Sequence, residues 1–173
     1  MCGIAGFVGH GDQKTLERMT LRVAHRGPDG QGFFSDEKHK VFLGHRRLSI
    51  IDLAGGQQPM WNETGDVGVV FNGEIYNHAD LRRELMAAGH RFQSSHSDTE
   101  VLVHGYEEWG NGLPARLNGM FAFVIYDAAN RQLFIARDRF GEKPLYYATE
   151  PGFFGFASEL SALCEHRSVS RQI

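Results

Sequence analysis

Cys2 is the residue from which a chemistry can be read first. The side chain after Met1 is small, so removal of the initiator would leave a thiol and a free α-amino group on one residue. An α-amino group titrates at about 7.7–8.0 and a thiol at about 8.5, so the amine can serve as base toward the thiol near neutral pH. A thiol that attacks an amide builds an oxyanion, and the oxyanion needs donors. Asn72 and Gly73, at the end of the apolar run Val67 to Phe71, offer a side-chain NH₂ and a backbone N–H. The same Asn-Gly pair after alternating apolar residues is also the favoured two-residue hairpin turn. Arg47 carries the planar fork that clamps a carboxylate, while Glu74 and Asp98 are acids able to hold an ammonium. Each has a plainer reading: Asp98 as part of a helix cap, Glu74 as a solvated strand charge, Arg46 and Arg47 as surface residues at a strand end. Cys164 reads as a packing residue.

The elements that must position these side chains follow from apolar period and punctuation. Ile4 to Val8 is a short apolar run between glycines, which suits a buried strand and would fix the N-terminus. Leu16, Met19, Val23 and Ala24 recur at helical spacing, giving a helix over about 13–25 that ends in the loop RGPDG. Val41 to Arg47 and Val67 to Phe71 read as strands. Asn77 is placed to cap a helix carrying Leu81, Leu85 and Met86 and closing at Gly89. Ser97-Asp98-Thr99-Glu100 has capping-box spacing ahead of Val101, Leu102, Tyr106 and Trp109, which predicts another helix there. Met120 to Tyr126, Gln132 to Asp138, Leu145 to Thr149 and Phe153 to Ala157 are apolar runs separated by turn residues, as in antiparallel strands in succession. A short helix over Glu159 to Leu163 follows. Several strands are apolar on both faces, so the class is α+β with stacked antiparallel sheets covered on both sides.

The chain has 173 residues, 42% of them hydrophobic, and a net charge of −3, which fits one domain, 1–173, with no linker or repeat. That charge supplies no field for nucleic acid or anionic lipid, so neither a nucleic-acid nor a membrane partner is expected. There is no apolar run of membrane-spanning length and no signal-peptide pattern, so the expected location is the cytoplasm. Two cysteines cannot make a disulfide framework. The nine histidines show neither an H-E-x-x-H pattern nor a Cys/His pairing, so no metal is expected. The pieces GHGD and AGGQQ lack the Lys and Ser/Thr of a phosphate loop and read as turns.

Taken in order, MCGIAGF, RGPDGQG, GHRRLSIIDL, GGQQPM, FNGEIYNH, SDTEVL, LNGMFAFVIYD, ARDRFGEKPLYY and FASEL resemble the N-terminal glutaminase domain of glutamine-dependent asparagine synthetases, from Met1 to about Leu163. Cys-Gly-Ile and Ser-Asp-Thr-Glu are similar to class II glutamine amidotransferases generally, whereas RLSI, EIYNH and RDRFGEKPLYY are similar to the asparagine synthetase branch. The resemblance implies an N-terminal nucleophile hydrolase fold, two stacked antiparallel β-sheets between α-helical layers. It implies that Cys2 is nucleophile and, through its amine, base, with Asn72 and Gly73 as the oxyanion hole. Arg47 would bind the α-carboxylate of L-glutamine, Asp98 and Glu74 its α-ammonium, and backbone groups of Leu48, Ser49, Ile50 and Ile51 would line the pocket.

The glutaminase step needs no cofactor. In the family it resembles, a synthetase domain with a pyrophosphate-binding S-G-G-x-D-S motif follows, and that motif is not found in residues 1–173. ATP and Mg are therefore expected only at that absent domain, which would be a C-terminal or separate partner. A homodimer is a further assembly the reading admits. ARDRFGEKPLYY is either a hairpin with a charged turn or a surface toward the synthetase domain. Three rival functions stay open at this point: a catalytically silent glutamine-binding or assembly module, a hydrolase of other amides or peptides, and an ammonia donor to a non-aspartate acceptor.

Overall fold

A computed structural model of the chain describes residues 1–49 and 56–170; Ile50 and Ile51 lie outside them. In chain order the elements are β1 (Gly3–Gly9), α1 (Gln13–Arg22), β2 (Gly30–Asp36), β3 (Val41–Arg47), β4 (Met60–Trp61), β5 (Val67–Ile75), α2 (His78–Ala87), α3 (Glu100–Trp109), α4 (Leu113–Arg116), β6 (Gly119–Asp127), β7 (Gln132–Arg137), β8 (Tyr146–Glu150), β9 (Phe153–Ala157) and α5 (Leu160–Leu163). They fall into two units, Met1–Leu48 with Pro144–Ile173, and Ser49–Lys143. Each unit has its own antiparallel sheet and its own helices. None of the described helices is long and apolar enough to cross a membrane.

In the discontinuous unit the strand order is β2-β3-β1-β9-β8. Alternation along β1 and β3 sends Ala5, Phe7 and Phe42 into a core with Leu16, Met19 and Val23 of the α1 segment and Leu163 of α5. The rings of Phe7 and Phe42 stack at 4.6 Å. Asp12 starts α1 by accepting from the Thr15 N–H at 2.8 Å and its hydroxyl at 2.7 Å, a cap the apolar spacing alone does not reveal. The helix is shorter than its pattern suggests, because Ala24–Arg26 tightens into a 3₁₀ turn. Gly27 then crosses β3 so closely that a Cβ would lie 2.5 Å from the Arg46 carbonyl oxygen, which only glycine accommodates. Cys164 packs at the margin of this core.

The continuous unit has the order β4-β5-β6-β7. Val69, Phe71 and Ile75 of β5 and Phe121, Phe123 and Ile125 of β6 share one face, on which Leu81 and Leu85 of α2 and Val101, Leu102 and Tyr106 of α3 pack. Asn77 sits at the cap position of α2, yet its side chain does not cap the helix. Its amide instead bridges to the end of α4 and the residue before β6, donating to the Arg116 carbonyl and accepting from the Asn118 N–H, each at 2.9 Å. The reciprocal capping box expected at α3 does not form either. Ser97 Oγ accepts from the Thr99 N–H, and Glu100 reaches back to the N–H groups of Gln93 and Ser94. Burial opposes ionisation of Glu100, but bonds from His104, from the Ser94 hydroxyl and from those N–H groups outweigh it and lower its pKa to about 2.

The four late strands do not follow one another in one sheet. β6 and β7 belong to the continuous unit, β8 and β9 to the other. RDRFGEK is accordingly no hairpin turn: the chain winds about the Asp138 carboxylate, which accepts from the N–H groups of Phe121, Phe140, Glu142 and Lys143 at 2.8–3.2 Å. Those bonds overcome the cost of burial and hold Asp138 below the usual carboxylate range.

Candidate active site

Cys2 precedes β1 and is fixed from two directions. Its carbonyl accepts from Arg26 Nε at 3.0 Å, and its Sγ lies 3.9 Å from the Leu48 carbonyl oxygen. Arg26 in turn meets Glu159 at 3.1 Å, and Glu159 also meets His25 at 2.9 Å. Burial opposes the charge on Glu159, but Arg26 and His25 prevail and lower its pKa. Two residues on, Ile4 exchanges two bonds with Ser158, at 2.9 Å to its hydroxyl and 2.8 Å from its N–H. The N-terminal strand is therefore a clamped element.

The β1–β3 register pairs Gly3 with Arg46 and Ile4 with His45, which brings Cys2 level with Arg47. Strand parity separates the two adjacent arginines. Arg46 shares the α1-facing side of the sheet with Gly44, while Arg47 shares the other side with His45. The sequence reading of Arg47 as the carboxylate clamp thus falls on the arginine that the helix does not cover. Leu48 and Ser49 follow directly and are half-buried.

In the continuous unit, Asn72 and Gly73 are not a turn. Both lie within β5, paired with Ala122 and Phe121 of β6. A Cβ on Gly73 would come within 2.2 Å of the Met120 carbonyl oxygen, so glycine is needed for the strands to approach. Asn72 points to the face of the sheet away from α2 and α3. It is 1% exposed, and among the described residues neither its Oδ1 nor its Nδ2 has a hydrogen-bond partner. An orphaned buried amide costs about 1–3 kcal/mol and calls for an explanation outside folding.

Glu74 follows on the same face, and Asp98 reaches the end of β5 by accepting from the Ile75 N–H at 3.0 Å. Burial raises the Asp98 pKa above its ordinary value, ahead of the opposing Ile75 N–H and His78, and the charge of Glu74 adds to the rise. The structure therefore brings Cys2, Arg47 and Leu48 together in one unit, and Asn72, Gly73, Glu74 and Asp98 together in the other. Sequence reasoning missed Arg26, Ser158 and Glu159, which hold the Cys2 segment. The signal for Arg26 was the motif RGPDGQG, read as a helix end and as part of the family resemblance but not as a hold on Cys2.

The likeness to solved structures gives the class of fold. Over 93% of this chain and 42% of the other, the structure matches glutamine phosphoribosylpyrophosphate amidotransferase from Bacillus subtilis with a TM-score of 0.73 at 24% identity. The fold is thus that of the N-terminal nucleophile hydrolases. At the level of sequence the chain belongs to the glutamine amidotransferase domain family, which matches residues 1–173. A glutamine-hydrolysing asparagine synthetase of Bacillus subtilis (strain 168) is 43% identical over 100% of this chain and 29% of its own length. One from Sandersonia aurantiaca is 41% identical over 96% of this chain and 32% of its own. The chain therefore spans less than a third of these relatives.

Proposed function

We propose that this domain hydrolyses the side-chain amide of L-glutamine to glutamate and ammonia, with Cys2 as nucleophile once Met1 is removed. The observation that carries the reading is Asn72, buried in a strand with both ends of its amide unpartnered among the described residues. An amide donor held ready in a buried strand is what a developing oxyanion uses.

The free α-amine of Cys2 takes the thiol proton, and Sγ attacks the amide carbon. Asn72 Nδ2 and the Gly73 N–H stabilise the tetrahedral oxyanion. Its collapse expels ammonia, which carries the proton delivered by the amine, and leaves a thioester. Water then attacks with the amine again as base, through a second oxyanion, and glutamate leaves. Arg47 holds the α-carboxylate; Asp98 and Glu74 hold the α-ammonium; Leu48 and Ser49 supply backbone to the pocket. These charges fit a free amino acid and oppose a peptide.

The ammonia is consumed by a synthetase part that amidates a carboxylate at the expense of ATP with Mg; the relatives are named asparagine synthetases, for which the acceptor would be aspartate. The test is glutamate release from glutamine by purified protein, with loss of Met1 confirmed by intact mass, beside a Cys2→Ala control. Release that disappears in the control is the expected result. Equal release from Cys2→Ala would remove Cys2 from the reaction, and binding without release by processed protein would mark a silent module.

A further inference from the structure

Away from these residues, the continuous unit gathers two imidazoles and four carboxylates at one face of α3. His104 and Glu107 lie one helical turn apart on α3, His90 comes from the residues after α2, and Glu63 comes from the turn between β4 and β5. Both rings turn Nδ1 toward one oxygen. His104 Nδ1 is 3.1 Å and His90 Nδ1 3.7 Å from Glu107 Oε2, and the three ligand atoms lie within 4.8 Å of one another. Glu63 Oε2 stands 3.9 Å from His104 Nδ1. Ligands bound tetrahedrally at about 2.0–2.1 Å are about 3.3 Å apart, a spacing the first two distances bracket.

The surroundings are those that orient metal ligands. The outer nitrogen of each ring faces a carboxylate: His90 Nε2 is 3.2 Å from Glu108, and His104 Nε2 is 3.7 Å from Glu100. An outer carboxylate of this kind fixes which ring nitrogen is free to ligate. The second oxygen of Glu107 is held by Asn62 Nδ2 at 2.7 Å, and Asn62 is itself buried. With Glu63, Glu100, Glu107 and Glu108 around two rings, the cluster remains net negative even with both rings protonated.

The geometry points to a divalent transition-metal site of the zinc class, with His90 Nδ1, His104 Nδ1 and Glu107 Oε2 as ligands and Glu63 swinging in as the fourth. Imidazole ligands favour zinc, copper or nickel over calcium and magnesium. A four-ligand protein site is structural, and this one would clip α3 to the segment after α2 and to the β4–β5 turn. The expectation of no metal rested on local motifs. A His-x-x-Glu pair on a helix completed by a histidine fourteen positions earlier falls outside them.

The test uses untagged, chelator-stripped protein carrying Cys2→Ser and Cys164→Ser, so that no thiolate competes. Titration with Co²⁺ should saturate at one equivalent with the visible absorption of a four-coordinate ion, displaced by Zn²⁺. His90→Ala and Glu107→Gln, neither in the hydrophobic core, should each weaken binding at least tenfold while far-UV circular dichroism stays unchanged. An absent band at one equivalent, or the same band and affinity in both variants, would overturn the site.

Discussion

Asn72 and Asp98 are both held in energetically unfavourable states, and that separates their effects on activity from their effects on stability. Asn72 makes no hydrogen bond that a substitution would forfeit among the described residues. Asn72→Ala should therefore lower kcat by about 10²–10³, as loss of one oxyanion donor does, leave KM nearly unchanged, and leave the melting temperature level or higher. An unchanged kcat would exclude the side chain from the reaction. For Asp98, burial favours the protonated form, so the folded state binds more protons than the unfolded chain between the ordinary pKa and the raised one. Stability from this group is accordingly greatest below the ordinary value of about 4 and declines as pH rises through the raised value. Asp98→Asn keeps an acceptor for the Ile75 N–H and removes the charge. It should stabilise the protein at neutral pH, with the gain vanishing in acid, and should raise the KM for glutamine at least tenfold. Denaturant midpoints across pH beside steady-state kinetics check both arms, and a variant that is less stable at neutral pH contradicts the assignment.

At the scale of elements, the nucleophile is only as well placed as the strand that carries it. Arg26→Met preserves the aliphatic packing but drops the bonds to the Cys2 carbonyl and to Glu159. The expected outcome is a loss of about 1–3 kcal/mol and at least a tenfold fall in kcat/KM with the far-UV spectrum unchanged. Full activity in this variant would mean that the Ser158 bonds alone fix β1. Val41–Arg47 was legible to the residue because alternation and the flanking turns agree. The Asn-Gly pair was ambiguous because local turn propensity and a central strand position compete, and pairing with β6 decided it. β2, with two glycines in GQGFFSD, carries a weak strand pattern and is recognised only through its ladder to β3. The hairpin reading of RDRFGEK, one of the two left open, could be entertained since nothing local reveals that its flanking strands belong to different sheets. Among the candidate site residues, those borne by motifs could be singled out in the sequence, whereas the contacts of Ser158 and Glu159, and of His90 with His104 and Glu107, depend on distant segments meeting.

For the whole molecule, connectivity sets an order of dependence between the two units. One is a continuous stretch, Ser49–Lys143, with a complete core; the other joins the two ends of the chain through the β1–β9 ladder. That ladder closes a loop containing the entire continuous unit, and closure costs less when the intervening chain is already folded and compact. Destabilising the continuous unit should therefore unfold both. Leu85, fully buried in its core, is a suitable probe, and Leu85→Ala should cost about 2–5 kcal/mol. Both tryptophans, Trp61 and Trp109, lie in the continuous unit, so their fluorescence follows that unit alone while far-UV circular dichroism follows both. Leu85→Ala should shift the two thermal transitions downward together, coincident as in the parent protein. A dichroism transition that stayed behind at the parent midpoint while the fluorescence moved would show that the discontinuous unit folds without its insert.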